Sequence, residues 1–276
     1  MYMLNNFEKN KNLILAVLVV YCLLILAGFS YYPMETVILA LASLILACLI
    51  YKPEIGLYAM AFFLPVINWN FYYGGLEIPF IDLLSLVVLI AFILRQAYNL
   101  LFDRENFKFK FPVFIAFILF FTAAIISSLN SDIVYASLWY DVRWILFFYL
   151  AYIVMPFNII KDKKILKNVL ISFTLSGLAV AIIGAVSLYY QDWYNDFIRV
   201  KPQAIAGIFP IGDNQNLLAE VLLVSLFFTL ALKFWHKTEL SKKIINLLII
   251  FSGLALIGTF SRAAWLALVI QVVLYL

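Results

Sequence analysis

The chain carries little charge for its length of 276 residues. Only 12% of the residues are Asp, Glu, Lys or Arg, whereas soluble domains average about 25%. Hydrophobic residues make up 66% of the sequence, and one soluble core cannot bury that much apolar surface. This composition excludes a secreted disulfide module, a nucleic-acid-binding domain and a disordered chain.

Cysteine and histidine are also scarce. Cys22 and Cys48 lie inside apolar runs and outside any CxxC or Cys/His pattern, which predicts small packing residues. His236 is the single histidine of the sequence, and its position predicts an interfacial loop. One histidine cannot build a His-rich metal site, and we do not expect a charge-relay triad around this one. We therefore expect no metal and no cofactor.

What the chain has instead is a succession of long apolar runs. A helix needs about 20 apolar residues to cross about 30 Å of hydrocarbon, and 26 Phe, 17 Tyr and 6 Trp suit a membrane bundle and its interfaces. We predict an all-α, polytopic transmembrane helical bundle of about ten spans that forms a single domain over residues 1–276. The predicted spans cover residues 13–29, 36–51, 55–72, 80–94, 111–129, 139–160, 165–190, 217–235, 244–258 and 261 onward.

Lysine and arginine predict the orientation of these spans. With the N-terminus in the cytoplasm, 15 of the 19 Lys and Arg residues fall on the inner side, as the positive-inside rule requires. No small-x-small cleavage site follows the first span, so it is predicted to be a retained helix. The outer side carries nine of the 15 acidic residues. The remaining four basic residues are predicted on this acidic outer side: Arg143, Arg199, Lys201 and Arg262.

Two of these residues are predicted at the outer N-termini of membrane helices. Arg262 opens the tenth span, with Ser261 as its N-cap, and Arg143 opens the sixth span, with Asp141 as a candidate cap. A helix N-terminus offers free N–H groups and the positive end of the helix dipole. Together with an arginine fork, they favour binding of phosphate or pyrophosphate. The alternative for both is an interfacial arginine that reaches the lipid head groups, or, for Arg143, a local ion pair.

The longest predicted outer loop covers residues 191–216. Long ordered loops tend to carry function. Arg199 and Lys201 lie in this loop and are either solvated charges or the rim of a site for an anionic substrate.

The loop leads into the eighth span through a stretch rich in Gly, Pro and Asn. Asn216 is a candidate cap for that helix, and Glu220 lies one turn further on the same face. An acidic residue inside a membrane helix is costly unless it is paired or hydrated. Asp213 and Asn216 serve either as caps alone or as polar contacts to a sugar or an arginine.

The residues at the outer ends of the third and fourth spans are predicted to have a structural role. Pro65 is predicted to kink the third span. Asn68, Asn70, Glu77 and Asp82 follow it at the same level.

Two short motifs resemble the O-antigen ligase and O-antigen polymerase family. One is GIF…NQNLLA over residues 207–219, which leads into a membrane helix, and the other is TFSRAAW over residues 259–265, which opens a later one. The many-span hydropathy and a Pro-broken third span followed by Asp82 are also similar to the family.

The resemblance implies an activity. Members of the family are metal-independent membrane glycosyltransferases on the outer face of the bacterial inner membrane. They take a glycan from an undecaprenyl-pyrophosphate carrier and pass it to lipid A core, to a growing polysaccharide or to a protein. The implied partners are that donor, a glycan or lipid acceptor and membrane lipids, without nucleic acid. By this likeness Arg262, and next Arg143, would contact the pyrophosphate and offset the leaving group's charge.

The sequence departs from the family in one respect. The family carries a large outer loop near its C-terminal end, with a histidine thought to activate the acceptor, and this sequence has no outward histidine. Only 14 residues follow Arg262, which is about 21 Å of helix at 1.5 Å per residue. The prediction is a truncated member without the acceptor loop, which would bind carrier lipid without catalysing transfer, and no catalytic residue is assigned.

Two other functions stay open at this point. A transporter or lipid flippase would be favoured by charges at mid-membrane or by inverted repeats, whereas nearly all charges here map to span ends. The other is an accessory or assembly subunit that has no site of its own.

Overall fold

The computed structural model describes residues 33–66, 68–73, 76–102, 109–192, 197–205, 207–234 and 242–275. Helix covers 79% of this part of the chain, which confirms the helical class. The predicted first span, Cys22 and His236 lie outside the described residues.

The chain divides into two compact units, Met1–Tyr51 and Lys52–Leu276. The first unit contains helix α1, Pro33–Tyr51. Large apolar side chains along α1 are exposed, among them Met34, Leu39 and Leu44. An apolar helix with exposed apolar faces is typical of a segment in contact with lipid.

The second unit contains a short hairpin and eight helices among the described residues. Its elements are α2 (Pro53–Phe63), β1 (Asn70–Tyr73), β2 (Leu76–Pro79), α3 (Phe80–Phe102), α4 (Phe114–Leu129), α5 (Val134–Ile159), α6 (Lys163–Ser187), α7 (Gln215–Phe234), α8 (Lys242–Gly258) and α9 (Arg262–Tyr275). A 3₁₀ turn, Leu188–Tyr190, extends α6.

Several of these helices are long and apolar enough to cross a membrane. They are α3, α5, α7 and the extended α6, and a fifth span is present if Leu39–Tyr51 and Pro53–Phe63 form one broken span. Helices α4 and α9 are apolar but shorter. The chain is therefore a membrane protein of four to five candidate spans within its described residues.

The third predicted span is wrong in its second half. Helix α2 ends at Phe63, and residues 70–73 form a strand that pairs antiparallel with 76–79. Leu64 keeps helical dihedral angles, but Pro65 has no N–H group to continue the helical hydrogen bonds, so the helix ends ahead of Pro65 rather than kinking there. Two glycines between runs of aromatic and apolar residues are a hairpin signal, which a count of hydropathy alone does not detect.

Helix α5 begins five residues earlier than predicted and contains an unusual stretch. Val142–Phe147 and Tyr149–Val154 have π-helical hydrogen bonding, a conformation that is rare and concentrated at functional sites. Ser128 donates a hydrogen bond of 2.7 Å to buried Asp141 just before it, and Tyr152 pairs with Ser85 at 2.8 Å within it. Side chains of α3 and α4 thus hold the π-helical segment of α5 in place.

Small residues let α6 and α7 approach closely. A Cβ atom on Gly177 would lie 2.3 Å from Ser225 Cβ, and one on Gly184 would lie 3.3 Å from Leu218. Deeper along the same pair, Thr229 bonds Thr174 at 3.2 Å. Membrane helices associate through such small residues, because burial of apolar surface drives little association in lipid. This pair forms the centre of the buried core.

The connections that carry the predicted outer residues meet at one end of the second unit. We call residues 68–73, 76–82, 128–143, 187–192, 197–205, 207–217 and 258–262 the hairpin end. Asn68 N donates to Pro210 O at 3.1 Å, and Val200 N donates to Gly258 O at 2.7 Å. At other connections, Asn158 binds both backbone groups of Lys110.

Candidate functional site

The loop after α6 is docked onto the helix ends by its backbone. Gln191 Nε2 donates to Arg199 O at 2.7 Å, and Arg199 N donates back to Gln191 Oε1 at 3.1 Å. Lys201 N donates to Ser187 Oγ at 3.1 Å. The segment 199–201 therefore has a fixed backbone between the ends of α6 and α8.

The side chain of Val200 sits between two glycines. It is 4% exposed, and a Cβ atom on Gly184 or Gly258 would lie 2.6 or 2.8 Å from its methyl groups. Each glycine is therefore required for the close approach of the loop rather than for a turn.

Replacing Val200 with aspartate is expected to release this segment, because a carboxylate in an apolar pocket is strongly disfavoured. Trypsin should then cut after Arg199, a bond that docking protects in the wild type. The control is Ile198→Asp, a half-buried neighbour, which should leave the site protected. Equal protection of Val200→Asp and wild type in a timed digest would contradict the docking.

Docking brings three of the four basic residues that were predicted on the outer side onto segments that are joined by hydrogen bonds. Arg199 and Lys201 flank Val200, and the Gly258 carbonyl that Val200 binds lies four residues before Arg262. Arg262 is exposed and is the first residue of α9, and Ser261 O accepts from Trp265 N at 3.0 Å. The predicted helix start is confirmed, while a ligand at Arg262 stays a prediction.

Arg143 lies elsewhere at the hairpin end, and the prediction of a helix start there is wrong. Because α5 begins at Val134, Arg143 lies more than two turns inside it and has no helix N-terminus beside it. Nor is Asp141 its partner or a cap, since Asp141 accepts from Ser128. Arg143 instead forms an ion pair with Asp82, whose Oδ2 lies 2.7 Å from Nη2.

The start of α7 is capped by Asn214 and not, as predicted, by Asn216. Asn214 Oδ1 accepts from Asn216 N at 2.9 Å, and Asn214 O accepts from Leu217 N at 3.1 Å. The helix therefore begins one residue before Asn216. Asp213, Asn216 and Glu220 are all exposed, and only Glu220 lines a cavity.

Two adjoining cavities of about 300 and about 230 Å³ form an apolar cleft beneath the docked loop. Pro65, Ser176 and Ile211 line both of them. The walls come from α2, α6, α7, the residues just after α2, and residues 205, 208, 210 and 211. Among the described lining residues Glu220 alone is charged, and it lies on the smaller cavity. The cleft thus offers apolar walls with a carboxylate on one side.

Aromatic packing connects the cleft to the ion pair. The Phe80 ring lies 5.3 Å from Phe63 and 6.0 Å from Trp69, both of which line the larger cavity. Two residues beyond Phe80, Asp82 holds Arg143. The cleft is therefore connected through this packing to Arg143, and its wall residues 205–211 belong to the loop that carries Arg199 and Lys201.

The sequence analysis missed the pairing of Asp82 with Arg143 and the cleft. Asp82 and Arg143 were both predicted at the outer ends of spans. Their opposite charges at the same level of the membrane could have indicated an ion pair. The cleft had no such signal, because its walls are ordinary apolar residues from segments far apart in sequence.

The described residues contain no group of three or more His, Cys, Asp or Glu side chains that could hold a metal ion. No family model, no curated protein and no solved structure matches the chain. What the site does must therefore be argued from its own geometry.

Proposed function

We propose that this chain is a glycan-transfer protein of the O-antigen ligase and polymerase type. In this proposal it is a multi-pass protein of the bacterial inner membrane, with about ten spans and a cytoplasmic N-terminus. It binds a polyprenyl-pyrophosphate-linked glycan on the outer face, for cell-surface polysaccharide assembly. The motifs at residues 207–219 and 259–265 support the proposal as a resemblance.

The observation that carries the proposal is the combination of an apolar cleft and basic residues at one end of the second unit. A polyprenyl pyrophosphate needs a dry groove for its chain and cationic donors for its head. The cleft supplies the first requirement, and Arg143, Arg199, Lys201 and Arg262 are the candidates for the second. A ligand without an anionic head would not use these four residues.

The two ends of the donor make different demands on the site. The apolar walls of the cleft pack against a prenyl chain whatever head group it carries, so the cleft supplies affinity for any prenyl chain. Arginine binds phosphate through two parallel hydrogen bonds, so Arg262, at the start of a helix, supplies selectivity for pyrophosphate. Asp213, Asn216 and Glu220, which are exposed around the start of α7, are the candidates for contact with the glycan.

Binding of geranylgeranyl pyrophosphate to the purified chain in nanodiscs tests this proposal. The wild type is expected to bind it more tightly than geranylgeraniol. Arg262→Ala should weaken pyrophosphate binding about tenfold, the effect of one charge-assisted hydrogen-bonding group, and should leave geranylgeraniol binding unchanged.

Lys163→Ala is the control, since it removes an exposed cation at the first residue of α6, outside the hairpin end, and should change neither affinity. Equal binding of the alcohol and the pyrophosphate by the wild type would overturn the proposal. Transport of the lipid across the bilayer without any glycan transfer would favour a flippase instead.

A further inference from the structure

Arg143 is held along one edge of its guanidinium group. Nη2 donates to Asp82 Oδ2 at 2.7 Å, and Nε donates to the same oxygen at 3.2 Å. The Trp144 ring lies against the group, with its centroid 4.9 Å from Cζ. Since Nε and Nη2 share one edge of the plane, the fork formed by Nη1 and Nη2 points away from Asp82. No described residue accepts a hydrogen bond from that fork.

The surroundings of the pair keep it in this arrangement. Asp82 belongs to the first turn of α3, and Arg143 belongs to the π-helical part of α5. Tyr152 and Ser85 join the same two helices at 2.8 Å, and Asp141 ties α5 to Ser128. With several bridges fixing the backbone, Arg143 has little freedom to follow a mobile lipid head group.

The exposure of the pair is unequal. The Arg143 side chain is 32% exposed and that of Asp82 is 14% exposed. The acid is therefore largely covered, while the arginine reaches the surface. Binding sites often use this arrangement: a largely buried acceptor, here Asp82, holds a donor, here Arg143, in position for a ligand at the surface.

We propose that Asp82 is a positioning residue that presents the free fork of Arg143 to one phosphoryl group of the bound lipid. The inference rests on the proposed function, in which Arg143 is one of four candidate donors, and adds to it Asp82 as the residue that orients Arg143. The ion pair is neutral as a whole, so attraction of the anion depends on the geometry of the fork rather than on net charge. A lysine at position 143 would keep the charge and lose the two parallel bonds.

Three substitutions separate positioning from charge and from folding. Asp82→Ala and Arg143→Lys are each expected to weaken binding of geranylgeranyl pyrophosphate about tenfold. Asp82→Asn keeps an acceptor oxygen for Arg143 and should bind within about threefold of the wild type. Geranylgeraniol affinity should be unchanged in all three, because a change there would report a disturbed fold.

Two results would overturn the inference. One is that Asp82→Ala binds the pyrophosphate as tightly as the wild type or more tightly, which would make Asp82 a competitor of the anion. The other is that Asp82→Asn loses as much affinity as Asp82→Ala. If Asp82→Ala does not fold, the affinities of Asp82→Asn and Arg143→Lys for geranylgeranyl pyrophosphate test the inference instead. An Arg143→Lys protein that binds the pyrophosphate as tightly as the wild type would also contradict a role for the guanidinium fork. A wild type that prefers the alcohol would reject the proposed function itself, together with this inference.

Discussion

Gly177→Val is expected to abolish folding, and Gly177→Ala is expected to destabilise the protein by about 2 kcal/mol. The added Cβ would lie 2.0 Å from Ser225 Oγ and 2.3 Å from Ser225 Cβ. Rotation of the serine removes the first clash but not the second, so α6 and α7 must move apart. Overpacking of this kind costs about 1–3 kcal/mol or more, which exceeds the gain of up to about 1 kcal/mol in helix propensity.

The chain offers a matched control and a rescue for this experiment. Gly253 lies inside α8, and nothing is within 4 Å of a Cβ placed there, so Gly253→Ala should leave the melting temperature unchanged or raised. Ser225→Gly removes the clashing atoms and should restore the stability of Gly177→Ala. Equal melting temperatures for the Gly177→Ala and Gly253→Ala proteins in detergent would contradict the packing of α6 on α7.

Ser176→Phe is expected to weaken binding of geranylgeranyl pyrophosphate about a hundredfold. Ser176 lines both cavities and is 3% exposed, so a phenyl ring there occupies the place of the ligand chain. The ring and the chain cannot share the cleft, and overpacking of this kind costs up to about 3 kcal/mol. The loss should be the same for geranylgeraniol, because the ring blocks the chain and not the head group.

Leu175→Phe provides the comparison for this substitution. Leu175 is the preceding residue of α6, is 43% exposed and lines neither cavity. Its replacement adds a similar ring outside the cleft and should leave both affinities unchanged. If Ser176→Phe binds prenyl ligands like the wild type while remaining folded, the cleft is not where the chain lies.

Hydropathy predicted the positions of the helices better than their local shape. The fourth, seventh, eighth and ninth apolar runs correspond to α3, α6, α7 and α8, because apolar length is read directly from the sequence. The hairpin at 70–79 was missed because its aromatic residues count as apolar in any window. The π-helical stretch of α5 was also missed, since its residues 142–154 have no distinctive composition.

Single residues of the site were easier to predict than their partners. Arg262 lies at a helix start, as a serine followed by an arginine indicated. The pairing of Arg143 with Asp82 joins residues 61 positions apart, and no local pattern specifies it. The cap at Asn214 was missed because Asn214 and Asn216, two positions apart, both suit an N-cap.

The most direct test of lipid-linked pyrophosphate binding is native mass spectrometry of the protein isolated from its own membrane. The account predicts a bound polyprenyl pyrophosphate, with or without attached sugars, that is absent from the Ser176→Phe protein and reduced in Arg262→Ala. Phospholipid alone, in equal amounts on the wild type and both variants, would contradict it.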